Sequence, residues 1–190
     1  MSIFNAVSTV HSVQEISLDD ATKLELGQIM TDTSPRQYRS DCQSGQFKIG
    51  TSTMKGQKLD MELIGAQLSE GEYFGYPNMR WLALLFADQE GVVSTILFKT
   101  ESLDNFSELS RAFRLKGESL LGKTVRATMS KRASRATGNA YFAVEFEVVA
   151  KKGKFATAIA EFRQLHYRPE MIRLLDNKPA ANQQPVIDNK

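Results

Sequence analysis

Residues 80–99 read RWLALLFADQEGVVSTILFK and carry the clearest structural signal in the chain. Residues 80–87 are apolar on both faces of a strand, and residues 92–99 are rich in β-branched side chains. The intervening DQEG is typical of a tight turn. The stretch therefore predicts two antiparallel strands joined as a hairpin.

A further strand is predicted before this hairpin, over residues 58–69. Apolar and acidic residues alternate in KLDMELIGAQL with the period of a half-buried strand, and Gly65 predicts a bulge or bend within it. A turn-rich segment, EGEYFGYPNM, follows. It carries three aromatic residues, Tyr73, Phe74 and Tyr76.

After residue 99 the apolar residues recur at helical spacing through SLDNFSELSRAFRLKGESLLG, with Ser102 as the expected N-cap. Residues on the two faces alternate again with the period of a strand over 123–130 and 140–149, which predicts a second hairpin with a basic tip. The segment FATAIAEF, residues 155–162, fits a strand or the start of a helix, and we favour the strand. Pro169 then suits the first turn of a closing helix through Leu175.

The two ends of the chain are weakly patterned. Ser17 is a candidate cap for a helix through Met30, and residues 31–46 are predicted to be loop. The tail NKPAANQQPVIDNK has little to bury and is predicted to be disordered. We therefore divide the chain into an N-terminal extension (1–46), a barrel domain with a C-terminal strand or helix (47–175) and a tail (176–190).

The composition excludes several classes of protein. The chain has 190 residues, which is enough for one domain with its own core. One cysteine, Cys42, and two histidines cannot build a zinc site without several carboxylates, so we expect no metal and no cofactor. The N-terminus lacks a signal-peptide pattern, and no apolar run is long enough to span a membrane. We expect a soluble, cytoplasmic protein without membrane contact.

Charge is unevenly distributed along the chain, although the net charge is only +2. Residues 1–100 hold 8 Lys and Arg against 12 Asp and Glu, whereas residues 101–190 hold 16 against 10. Between Arg111 and Arg135 there are eight cations and one anion, Glu118. Such a stretch predicts a local positive field, or simply a solvated face.

Residues 117–124, GESLLGKT, match the P-loop pattern G-x-x-x-x-G-K-[ST] letter for letter. A phosphate-binding loop must follow a buried strand and open a helix, so that backbone N–H groups surround the phosphates. Here the predicted order is reversed, because a helix precedes the motif and a strand follows it. Nucleotide binding is therefore the least favoured function.

Three strands, a helix and two strands are the succession found in the OB-fold, a five-stranded Greek-key barrel with a helix between strands three and four. Over residues 47–150 the chain resembles the OB-fold single-stranded-DNA-binding proteins of bacteria and phages. The resemblance implies a mainly β fold with helices. It also implies a binding groove on the outer face of strands two and three, flanked by the aromatic loop and the basic loop.

These two loops carry the groups that single strands require: cations for phosphates and aromatic rings for bases. We predict a non-enzymatic protein that binds single-stranded DNA, or RNA, with little sequence preference. The candidate nucleic-acid-binding residues are Lys131, Arg132, Arg135, Arg126, Lys123, Tyr141, Tyr73, Phe74, Tyr76, Arg80 and Trp81.

An alternative function uses the same barrel as a protein-interaction or assembly module. In that case the basic hairpin meets an acidic protein surface, and the apolar strand over residues 80–87 joins a neighbour. A strand that is apolar on both faces also favours a homo-oligomer. The fold by itself cannot separate these functions.

Overall fold

The computed structural model of the chain describes residues 14–15, 33–73, 76–134, 137–150 and 153–172. Ten strands and two α-helices lie in these residues. The strands are β1 (Gln14–Glu15), β2 (Thr33–Ser34), β3 (Arg36–Asp41), β4 (Gln46–Ile49), β5 (Thr53–Gly56), β6 (Lys58–Tyr73), β7 (Tyr76–Ala87), β8 (Val93–Lys99), β9 (Thr124–Ala133) and β10 (Ala140–Val148). The helices are α1 (Thr100–Leu115) and α2 (Ala156–Leu165), followed by a 3₁₀ turn over Pro169–Met171.

Eight strands form one curled, half-barrel sheet in the order β10-β9-β6-β7-β8-β3-β4-β5. Hairpins join β6, β7 and β8, and β9 returns through α1 to pair with β6, which is the Greek-key order. Neighbouring strands are antiparallel except β3 and β8, which are parallel. The curl brings β10 towards β3, because the N–H of Phe142 donates to the carbonyl of Cys42 at 2.9 Å.

The five strands predicted from the sequence correspond to β6, β7, β8, β9 and β10 and are confirmed. The bulge expected at Gly65 is also present, since the register between β6 and β7 shifts between Leu63 and Gly65. A Cβ atom at position 65 would lie 2.6 Å from the hydroxyl of Tyr167, so a larger residue there would displace the Tyr167 ring.

The five-stranded count and the loop predicted over residues 31–46 are wrong, because β3, β4 and β5 extend the sheet beyond β8. These strands are short and mostly polar, and only Tyr38 and Phe47 bury large side chains. Their stability comes from pairing with β8 and from packing on the existing core. The local sequence carries no alternation that would reveal them.

The predicted helix after β8 is confirmed, but it begins at Thr100 rather than after a cap at Ser102. Ser102 lies inside the first turn, and its hydroxyl accepts the N–H of Val144 at 3.0 Å. Asn105 donates its side-chain N–H to the carbonyl of Val144 at 2.8 Å. Polar residues of α1 thus satisfy the free edge of β10, so Ser102 joins α1 to the sheet instead of capping the helix.

Residues 155–162 form the start of α2 and not the strand that we favoured. Phe155, Ile159 and Phe162 recur at helical spacing, and they pack against the sheet. The carboxylate of Glu62 accepts the N–H of Phe155 at 3.1 and 3.2 Å, where it stabilises the helix N-terminus. Glu62 is buried, although it alternates with the apolar residues Met61 and Leu63 along β6.

The two faces of β7 pack against different partners. Leu82, Leu84 and Phe86 face α1 in the larger core cluster, on what we call the inner face. Ala83, Leu85 and Ala87 alternate with them and pack against α2, on the outer face. The prediction of a strand apolar on both faces is therefore confirmed.

Two predictions lie outside the described residues: the helix from Ser17 to Met30 and the disordered tail over 176–190. The closing helix predicted from Pro169 through Leu175 is present only as a 3₁₀ turn over Pro169–Met171, because Ile172 is already non-helical; residues 173–175 lie outside the described residues. Within the described residues, neither α1 nor α2 combines the length and the apolar composition needed to cross a bilayer.

Candidate functional site

A cavity of about 370 Å³ opens on the outer face of β7 and β8, and we call it the outer cavity. Its floor includes Trp81 and Ala83 of β7 and Leu97 of β8. Ala83 and Leu97 also belong to the core cluster under α2, so the cavity begins where that cluster ends. The volume falls in the range of about 300–1,000 Å³ that is usual for small-molecule sites.

Two strands that are distant in the chain both contribute to the wall of the outer cavity. Arg39 comes from β3 and Tyr141 from β10. The curl of the sheet makes this possible, because it brings β10 next to the end of β3. The start of α1, including Glu101, completes the wall.

Lys99 and Trp81 are paired across the β7–β8 hairpin. The Nζ atom of Lys99 lies 5.3 Å from the centroid of the Trp81 ring, which is within the range of a cation–π interaction. Trp81 is only 4% exposed. Its ring therefore shapes the floor of the cavity, and Lys99 provides the positive charge above it.

Glu101 connects the cavity to the basic hairpin. The hydroxyl of Tyr141 donates to Oε2 of Glu101 at 2.6 Å, and Nε of Arg132 donates to Oε1 at 3.0 Å. The hydrogen bond from Tyr141, followed by that from Arg132, lowers the pKa of Glu101 below its ordinary value. The carboxylate is therefore ionised at neutral pH and held in one orientation.

Thr100, between Lys99 and Glu101, has a φ angle of +48°. A β-branched residue in this left-handed region is strained by about 1–3 kcal/mol, and such strain concentrates at functional sites. Here the strained residue lies at the junction of β8 and α1, with both of its neighbours in the wall of the cavity.

Two cations that the sequence singled out are engaged by carboxylates. Arg126 binds Asp60 with two hydrogen bonds of 2.7 and 2.9 Å, a bidentate pair across β9 and β6. Arg132 binds Glu145 as well as Glu101. Much of the positive charge counted along this stretch is thus compensated by neighbouring strands.

Other candidate cations lie on the surface. Lys131 and Arg80 are exposed, as is Arg39, and none of the three forms an ion pair with a carboxylate in the described part of the chain. Lys123 pairs with Glu118 at 2.8 Å. Arg135 lies outside the described residues.

The aromatic loop forms the hairpin between β6 and β7, where Tyr73 pairs with Tyr76 in the backbone register. Phe74 and the side chains of both tyrosines lie outside the described part of the structure. This hairpin and the basic hairpin lie at opposite ends of β6, because β9 runs antiparallel to β6 and pairs with its first residues. The lining of the outer cavity includes Trp81, which follows the aromatic hairpin in the chain, and Tyr141, which follows the basic one.

Three of the predicted residues, Trp81, Tyr141 and Arg132, thus lie at or next to one cavity. Sequence reasoning missed Arg39, Lys99 and Glu101. With DQEG as a four-residue turn, Ala87 would pair with Val92 and Trp81 with Phe98. The observed register pairs Ala87 with Val93, one residue further on, and so places Lys99 opposite Trp81. Arg39 and Glu101 depend on how the sheet curls.

The P-loop match, residues 117–124, connects α1 to β9, so the order is helix and then strand. Leu120 is buried in the core, and Lys123 is paired with Glu118. No helix N-terminus follows the motif. Among the residues that the structure describes, no group of three His, Cys, Asp or Glu side chains is arranged to bind a metal ion.

No protein-family model matches the chain, and comparison with curated proteins and with solved structures found no match.

Proposed function

We propose that the protein binds single-stranded nucleic acid, with DNA as the expected ligand, along the outer face of β7 and β8. The observation that carries the proposal is the outer cavity, in which the half-buried ring of Tyr141 and the cation Lys99 border an apolar floor that includes Trp81. Stacking surfaces beside cations are what a single strand requires. In this proposal the bound nucleic acid runs from one hairpin to the other and places bases in the cavity.

Phosphates of the strand contact the cations that no carboxylate already engages. Arg39 at the wall and Lys131 near the basic tip are exposed and unpaired within the described residues. Each phosphate that they neutralise releases counterions, which gives affinity without sequence preference. Arg126, by contrast, serves mainly to join β9 to β6 through Asp60.

The Greek-key order of β9, β6, β7 and β8 supports an OB-like barrel as the framework of this function. The helix between β8 and β9 and the cavity on the outer face of β7 and β8 agree with the same proposal. The strands β3, β4 and β5 are then an addition that extends the groove with the wall carrying Arg39.

Titration of a fluorescent thymidine oligonucleotide at two salt concentrations tests the proposal. A contact with about three phosphates of a single strand predicts roughly a 20-fold loss of affinity between about 50 and 200 mM salt. At low salt, a variant in which Lys131, Arg132 and Arg135 are all replaced by alanine should bind more weakly than the wild type. The absence of binding at low salt would overturn the proposal.

A second candidate function is assembly through the edge of the sheet. The strand β5 is the last in the order, and Met54 on it is 54% exposed. An exposed edge strand is a template for pairing with another chain. Analytical ultracentrifugation distinguishes this function, because a Met54→Lys variant should then dissociate an oligomer that the wild type forms.

A further inference from the structure

The outer cavity contains a carboxylate as well as cations, and this combination bears on which part of a strand enters it. Glu101 is ionised, and its two oxygen atoms are fixed by Tyr141 and Arg132. A fixed negative charge repels phosphate. The part of a bound strand that faces Glu101 is therefore the edge of a base.

The chemistry of Glu101 selects among the four bases. A carboxylate is an acceptor with about four lone-pair sites, and the two known hydrogen bonds leave capacity on both oxygens. Guanine alone presents two adjacent N–H donors, N1–H and N2–H₂, on its Watson–Crick edge, and these match a carboxylate pairwise. Thymine offers one donor, whereas the amino groups of adenine and cytosine each stand beside an acceptor.

Lys99 provides the complementary group. It precedes Glu101 by two residues in the same cavity wall, and a lysine ammonium is a common partner of O6 and N7 of guanine. The strained Thr100 between them fixes the relative placement of donor and acceptor. Ala83 and Leu97 supply apolar surface for the base itself.

We infer that the outer cavity accepts one guanine base of the bound strand, with Glu101 as the specificity-determining acceptor. The inference rests on the proposed function, to which it adds a preference at one position of the strand. The remaining positions keep the tolerance that stacking and phosphate contacts imply.

The test compares thymidine oligonucleotides that carry one central dG, dA, dC or deoxyinosine with the all-thymidine strand. The dG strand should bind about tenfold more tightly than the other natural strands, which is within the discrimination of a bidentate contact. Deoxyinosine lacks the N2 amino group and should have an intermediate affinity. This comparison needs no change to the protein, so it does not depend on whether a variant folds.

Variants then locate the preference. Glu101→Gln replaces one acceptor oxygen by a donor and should abolish the dG advantage, measured as the ratio of dG to all-thymidine affinity. Glu145→Gln is the matched control, since Glu145 also accepts from Arg132 but does not line the cavity. It should keep the full ratio. A dG advantage that survives in Glu101→Gln would overturn the role of Glu101.

The outcomes separate the inference from the function on which it rests. Failure to bind any oligonucleotide would overturn the proposed function. Equal binding of all strands would overturn the guanine preference alone. Tighter binding of free guanosine monophosphate than of the dG strand would reassign the cavity to a free nucleotide and overturn the assignment to a base of the strand.

Discussion

The inner and the outer face of the β7–β8 hairpin have nearly the same apolar composition in the sequence, yet they differ in the structure. The inner face is covered along its length by α1 and the curled sheet, and Leu84 and Ile96 on it are essentially inaccessible. The outer face is covered by α2 near the turn, while its other end borders the outer cavity.

An apolar strand surface in the sequence therefore indicates that the surface is buried. It does not indicate whether a helix, the rest of the sheet or a ligand covers it. On the inner face the whole surface contributes to stability. On the outer face, Leu97 and Trp81 divide their contacts between the core and a cavity that takes a ligand in our proposal. Changes on the inner face should therefore act on folding, and changes around the cavity should act on binding.

The largest expected effect is a loss of folding stability when a side chain of the inner face is removed. Leu84→Ala should lower the free energy of unfolding by about 2–5 kcal/mol, because it removes a completely buried side chain and leaves a cavity. Urea denaturation followed by tryptophan fluorescence measures the loss. Leu97→Ala, on the outer face of the same hairpin, should cost clearly less because Leu97 is only half-buried and borders the cavity. Equal losses would contradict the difference between the faces.

The second prediction concerns the junction that attaches β3, and hence one wall of the cavity, to the turn of the hairpin. Asp88 is 2% exposed and accepts from Arg36 at 2.8 Å, from Tyr38 at 3.1 Å and from two backbone N–H groups. Asp88→Asn keeps the shape but loses the charge, so we expect a loss of about 1–3 kcal/mol in urea denaturation. A loss below about 0.5 kcal/mol would show that this network does not stabilise β3.

The third prediction sharpens the contrast between engaged and available cations. Arg39→Gln should weaken binding of an oligo(dT) strand by about tenfold near 0.1 M salt, and reduce the steepness of log K against log salt by about 0.7, since one phosphate contact of a single strand is lost. The matched variant Arg126→Gln should change the affinity less than about twofold, because Asp60 already compensates Arg126. Equal effects of the two variants would contradict this assignment.

The smallest effect concerns acid stability. Hydrogen bonds from Lys55, and then from Arg36, lower the pKa of Glu90 to about 2 from its ordinary 4.5. A lowered folded-state pKa stabilises the protein above pH 4.5, and this contribution is lost as the pH falls towards 2. Because Glu90 is about half exposed, we expect less than about 1 kcal/mol. Thermal unfolding of wild type and Glu90→Gln should differ at pH 6 and converge near pH 2.

The sequence predicted the hairpins well because their signals are local. The alternation of β6, the turn at 88–91 and the apolar period of α1 each lie within some twenty residues, so propensity and burial agree there. The strand predicted over 155–162 was wrong for a related reason. Over eight residues the apolar positions fit both a strand and a helix. The helix is favoured by the carboxylate of Glu62, which accepts the N–H of Phe155 from 93 residues away in the chain.

The candidate site was less accessible to prediction. The basic residues near 126–135 were evident, but their carboxylate partners were not, since Asp60 lies 66 residues before Arg126 and the pair exists only in the β6–β9 register. Arg39 was missed because β3 has too few apolar residues to be recognised as a strand.

Five strands, one helix and their order can be predicted from the sequence, because each depends on the periodicity of neighbouring side chains. Folding adds three more strands to the sheet, pairs Arg126 and Arg132 with carboxylates, and brings Trp81, Lys99, Glu101 and Tyr141 to one cavity. These features depend on contacts between residues far apart in the chain, which form only when the sheet curls.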